Sequence, residues 1–257
     1  MIKAIAFDLW ETLITDTPAL SGEQERLRLE RMEAILAQRG FAATAEAIEL
    51  AYRRLWRRCH DLYWSADRDV PCRRQIDHFL EALELEPASF GEQTLVALED
   101  AYANVAIDVL PELVTGADEV VRGLKSRGYC LGLISNTGRT PGSALREVLR
   151  RLGIGPAIDA MVFSNEHGHC KPVPSIFEEL RAALDVKFEE IVFVGDNLYV
   201  DVHGAQRCGM RAVHFDPLVR GTAVAPPFEH DLTIVPDATI RDLRELPSVI
   251  DALKVFN

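Results

Sequence analysis

Residues 3–15 read Lys-Ala-Ile-Ala-Phe-Asp-Leu-Trp-Glu-Thr-Leu-Ile-Thr, and residues 191–205 read Ile-Val-Phe-Val-Gly-Asp-Asn-Leu-Tyr-Val-Asp-Val-His-Gly-Ala. In each stretch a short run of apolar residues ends abruptly on an aspartate, Asp8 in the first and Asp196 in the second. A run of four to six apolar residues without alternation is the pattern of a strand buried on both faces, which belongs to a parallel sheet covered by helices. Comparable runs recur at Cys130 to Ile134, Ala160 to Phe163 and Ala212 to Phe215, mostly separated by helical periodicity. The expected fold is therefore α/β, a doubly wound parallel sheet whose ligands gather at the carboxyl ends of the strands.

Between Thr15 and Pro111 the pattern changes to 3.6-residue periodicity with no clear strand, with Pro18, Gly40, Pro71 and the stretch from Pro87 to Gly91 as breaks. The expected organisation is a core of residues 1–14 and 112–257 with an all-helical insertion, residues 15–111, hanging over the end of the first strand. Its first helix is expected to bury Leu29, Met32, Ile35 and Leu36.

The chain has 257 residues, nearly half of them apolar, and a formal charge of -12. That charge repels nucleic acid and anionic lipid, so an anionic small-molecule substrate must be met by local cations or a metal. Five scattered cysteines without CxxC spacing fit a reducing cytoplasm rather than a disulfide framework. No targeting or membrane segment is visible, and nothing in the sequence speaks to oligomeric state.

Four polar groups follow the strand runs: Asp8, Ser135 in LISNTG (133–138), Lys171 in CKPVPSIF (170–177), and the pair Asp196 and Asp201. A lone aspartate after a strand is usually a turn residue or a helix cap. A carboxylate nucleophile, a hydroxyl, an ammonium and two further carboxylates at one sheet edge instead make a phosphoryl-transfer site with room for a hard divalent cation.

In order and spacing these segments resemble the four motifs of the haloacid dehalogenase superfamily, over the span from Asp8 to about Ala205. The resemblance implies that Asp8 is the nucleophile and Thr12 and Ser135 bind phosphate oxygens. It further implies that Asn136 orients the site, that Lys171 balances charge, and that Mg²⁺ is held by Asp8, the Trp10 carbonyl, Asp196 and Asp201. The inserted helices resemble the family's cap.

One position departs from the pattern: most phosphatases of the family carry a second aspartate, a general acid and base, where this chain has Trp10, and Glu11 replaces a common glycine. An indole donates no usable proton at neutral pH. Three readings stay open: a Mg²⁺-dependent phosphatase assisted by Glu11, His167, His169 or a good leaving group; a 2-haloacid dehalogenase, whose halide leaves unprotonated; and a weakly catalytic or regulatory relative. Phosphonate cleavage is disfavoured because no lysine lies between Thr15 and Pro111 to form a Schiff base.

Two further features are expected to be structural. Arg53, Arg54, Arg57 and Arg58 in YRRLWRRCHDLYW (52–64) form a solvated basic face with Trp56 and Tyr63 in the insertion's core, and EHGHC (166–170) lacks zinc spacing. Gly195 is expected to allow a close approach of backbone to ligand, and Gly204 close helix packing.

Overall fold

The computed structural model describes residues 1–41, 43–221 and 233–255. Six parallel strands form one sheet in the order β5-β4-β1-β6-β7-β8: β1 (Ala4–Phe7), β4 (Cys130–Ser135), β5 (Ala160–Phe163), β6 (Ile191–Gly195), β7 (Arg211–Phe215) and β8 (Ala238–Ile240). The sheet is α/β and doubly wound, as the apolar runs require. Residues Ala4 to Phe7 are all fully buried, pairing with Cys130 to Leu133 on one side and Ile191 to Val194 on the other. β8 was not legible in advance, since Ala-Thr-Ile is too short to show a pattern.

Two apolar clusters sandwich the sheet. One joins Ile5 and Phe7 to α6 (Ala117–Ser126), α7 (Gly142–Arg151) and α11 (Leu246–Val255); the other joins Ala4 and Ala6 to α9 (Pro174–Leu184) and α10 (Gly204–Arg207). The short helix α8 (Ser164–His167) follows β5. Gly204 lies where a Cβ would meet the Phe177 ring at 2.8 Å, so the close packing expected there is present.

Residues 18–108 hold α1 (Pro18–Gln38), α2 (Ala45–Leu62), α3 (Cys72–Ala82), α4 (Glu92–Ala103) and α5 (Val105–Asp108), and α1 to α4 enclose a third cluster built on Met32, Leu55, Phe79 and Tyr102. Pro18 opens α1 rather than breaking it, with the Thr17 hydroxyl accepting from the Leu20 N–H. Met32 and Leu36 are buried as expected, Leu29 and Ile35 only partly, and the same helix also buries Gln24 and Arg28. Chain entry and exit are tied by a two-residue antiparallel ribbon, β2 (Ile14–Thr15) with β3 (Glu112–Leu113). Thr15 is thus a strand residue, where no strand was expected.

A Cβ at Gly195 would meet Asp201, whose Cγ and Oδ2 lie 2.4 Å from the Cβ position. The strand end must pass this carboxylate, and only glycine lets it. Gly195→Ala is expected to cost roughly 1–3 kcal/mol, as overpacking does, read as a lowered melting temperature in thermal unfolding.

Candidate active site

The strand order puts β4, β1 and β6 side by side, so the segments that leave their carboxyl ends are neighbours. Lys171 lies at the centre, with 1% of its surface exposed. Its Nζ donates to Asp8 Oδ1 at 2.5 Å, Asp201 Oδ1 at 2.6 Å and the Ile134 carbonyl at 3.1 Å. The Lys171 backbone is locked to Asn136, whose Oδ1 accepts from the Lys171 N–H and whose Nδ2 donates to the Lys171 carbonyl. Asp8, Asp196 and Asp201 each offer a carboxylate oxygen within 4.8 Å of the others. Asp196 Oδ2 accepts from Arg220 Nη1 at 2.8 Å, and Asp201 Oδ2 from the Asn197 N–H at 3.0 Å.

Three carboxylates against two cations leave the cluster one positive charge short. Burial and the neighbouring Asp201 and Asp8 push Asp196 up to about 8, against the pull of Arg220 and Lys171. Burial likewise carries Asp8 to about 6 despite its lysine partner. Burial works against the Lys171 charge, but the two carboxylates outweigh it and raise its proton affinity. All-oxygen donors short of positive charge are the chemistry a hard divalent cation takes.

A cavity of about 450 Å³ opens beside this cluster, with Asp8, Trp10, Asn136, Lys171 and Asp196 on its wall. Thr12, Ser135 and Asp201 are buried behind it. Among the described residues the Thr12 hydroxyl has no hydrogen-bond partner, and the Ser135 hydroxyl reaches only the Asn136 carbonyl, at 3.5 Å. Both expected oxyanion donors are therefore close to uncommitted.

The replacements considered for the missing acid stay away from the cavity wall. Glu11, at φ +59°, accepts from Thr15 Oγ1 and from the Gly221 N–H. His167 is bonded to Glu179 and Ser175, and His169 pairs with Arg68 as an isolated β-bridge. The four arginines of α2 are exposed, with Arg53 paired to Glu49 and Arg58 to Glu81. Trp56 corrects its expectation: it is 39% exposed and lines the cavity instead of the helical core, whereas Tyr63 packs there.

Sequence reasoning missed Arg28, Arg139 and Arg220. Arg220 had a weak signal, since it lies on the segment that leaves the carboxyl end of β7, five residues beyond Phe215. Arg139 had one too, four residues beyond Ser135 on the same loop.

A family model for haloacid dehalogenase-like hydrolases matches residues 2–209. The chain belongs to that family. Among its relatives, a glyceraldehyde 3-phosphate phosphatase of Pyrococcus furiosus is 32% identical over 216 residues, 83% of this chain and 80% of the relative. A phosphoserine phosphatase of Thermus thermophilus is 30% identical, covering 95% of this chain and 98% of the relative. In fold the haloacid dehalogenase-like hydrolase is similar to a 2-haloacid dehalogenase of Pseudomonas syringae, with a TM-score of 0.68, 24% identity, and coverage of 98% and 100%. No helix among the described residues is long and apolar enough to cross a membrane.

Asp16, also on the cavity wall, accepts from Gln24 Nε2 and is pushed up to about 6, chiefly by burial. A carboxyl whose folded value lies above its unfolded one stabilises the fold at low pH and loses that contribution as pH rises through about 6. Asp16→Asn keeps the acceptor without the charge. It is expected to raise stability at pH 8 by on the order of 1–3 kcal/mol, and the gain should shrink toward zero below pH 4 when melting temperatures are compared across pH.

Proposed function

We propose that this chain is a Mg²⁺-dependent phosphatase of small phosphorylated metabolites that uses Asp8 as a covalent nucleophile. The observation that carries the reading is the convergence of Asp8, Asp196 and Asp201 within 4.8 Å around the Lys171 ammonium. The phosphatase names of the relatives support it.

Asp8, the Trp10 carbonyl, Asp196 and Asp201 are the groups that would hold the ion, directly or through water. When bound, Mg²⁺ supplies positive charge against the phosphoryl oxygens. An Asp8 oxygen attacks phosphorus, and the ester P–O bond breaks with its electron pair going to the leaving oxygen. Water then attacks phosphorus of the aspartyl phosphate, which frees inorganic phosphate and restores the carboxylate. Lys171 holds Asp8 in place and balances its charge, while Thr12 and Ser135 turn their hydroxyls to the phosphoryl oxygens.

Trp10 on the wall supplies no proton to the leaving oxygen, so esters of acidic alcohols are favoured. An aryl phosphate is expected to turn over roughly 10²- to 10⁴-fold faster than an alkyl phosphate, the usual worth of a general acid. Steady-state phosphate release on the two esters checks this, and equal rates would mean that another group donates the proton.

The same tryptophan favours the second reading, a 2-haloacid dehalogenase, whose leaving halide needs no proton. Phosphate release from an aryl phosphate that stops with EDTA supports the phosphatase, whereas halide release from a 2-haloacid that survives EDTA supports the alternative. Asp8→Asn is expected to abolish either activity. A single turnover in ¹⁸O-water separates the two: label enters released phosphate when water attacks phosphorus, and the Asp8 carboxylate when it attacks the ester carbon.

A further inference from the structure

The loop after β4 carries a cation that no carboxylate among the described residues meets. Among the described residues no carboxylate pairs with Arg139, and its Nε is buried without a hydrogen-bond partner. Its guanidinium lies 4.0 Å from the centroid of the Trp56 ring and 5.0 Å from that of Tyr52, on the wall of the cavity that holds Asp8.

The surroundings hold this group in place. Asn136 is locked to Lys171, the Thr137 hydroxyl donates to Asp69 and its N–H to the Ser164 Oγ, and the Gly138 carbonyl accepts from Gln75. Gln75 is itself fixed by the Tyr102 hydroxyl. The loop is therefore rigid from Asn136 to Gly138, and the aromatic faces of α2 hold the next side chain.

The other cations on the wall are committed. Lys171 serves Asp8 and Asp201, and Arg28 donates to the Tyr102 carbonyl and the Tyr52 hydroxyl. Asp69, an acid on that wall, is taken up by Trp64, Thr137 and Ser164. A guanidinium shielded by two aromatic faces keeps a planar fork of donors that matches the two oxygens of a carboxylate or phosphate. In a chain of formal charge -12, such a cation is what a second anionic group would need.

We propose that Arg139 is the specificity residue of this site and binds a second oxyanion on the substrate, so that the preferred substrates are small phosphomonoesters bearing a carboxylate or another phosphate. This rests on the phosphatase reading of the same cavity. The 450 Å³ available lies in the range of small-molecule sites and accommodates both ends of such a compound.

The test compares ligands that differ only at the far end, as competitors of 4-nitrophenyl phosphate turnover. The pairs are 3-phosphoglycerate against glycerol 3-phosphate, and propane-1,3-diyl bisphosphate against 3-hydroxypropyl phosphate. In the unaltered enzyme at least one anionic member should bind about 10- to 100-fold tighter than its neutral partner, the worth of a charge-assisted pair. Arg139→Met, which keeps an unbranched apolar stem against Trp56, should bring that ratio close to one, and Arg139→Lys should retain part of it.

Because a ratio is read, a general effect on folding or turnover cancels. A preference only in the first pair assigns a carboxylate, and only in the second a phosphate. No preference in the unaltered enzyme, or one undiminished in Arg139→Met, overturns the proposal and leaves Arg139 as packing between loop and helix. If 4-nitrophenyl phosphate is not hydrolysed at all, the phosphatase reading fails, and calorimetric titration of the same ligand pairs into both proteins still decides the role of Arg139.

Discussion

Burying an ammonium costs several kcal/mol unless its charge and its donors are met, and in this chain Lys171 is almost wholly enclosed. Its three partners come from three neighbouring strand ends: the carbonyl of Ile134 in β4, Asp8 after β1 and Asp201 beyond β6. Only a sheet with these strands adjacent and parallel satisfies it. Removing the lysine would leave two buried carboxylates uncompensated, which typically costs about 3–5 kcal/mol. The residues that make the site chemically competent are thus also the residues that secure the strand order, and Gly195 lets Asp201 come close enough to join them.

What the sequence makes legible follows from range. A strand buried on both faces advertises itself through a short, mainly apolar run, so β1, β4, β5, β6 and β7 could be read locally, and their polar successors located the site. Arg28 could not be read this way. It sits on the buried face of α1 because the Tyr102 carbonyl, 74 residues on, accepts from its Nε. Trp56 follows the same rule: at its place in α2 an aromatic side chain suits a core, and only the approach of Gly138 and Arg139 makes it a cavity wall. β8 and the β2–β3 ribbon were invisible because two or three residues carry no periodicity.

The pair Trp10–Glu11, which separates this chain from the usual family pattern, divides into two effects. Trp10 bears on the chemistry, since it faces the cavity where an acid is otherwise expected. Glu11 bears on the architecture. It occupies a left-handed backbone position that glycine would fill without strain, and its carboxylate binds Thr15 and the Gly221 N–H. That contact fastens the segment beyond β7, which also brings Arg220 onto Asp196. An acidic residue three positions after Asp8 thus fastens a distant loop.

The cavity has one wall on the helices and the other on the sheet, joined by contacts such as Asp69 with Thr137 and Ser164, and Arg68 with His169. A molecule that touches both walls stitches together stretches of chain far apart in the sequence, much as an added cross-link would. Occupancy is then felt by the whole protein, through mass action on the folded state. Heat resistance becomes a reporter of what has been bound, and chemically unreactive mimics of the natural compound would register as clearly as the compound itself.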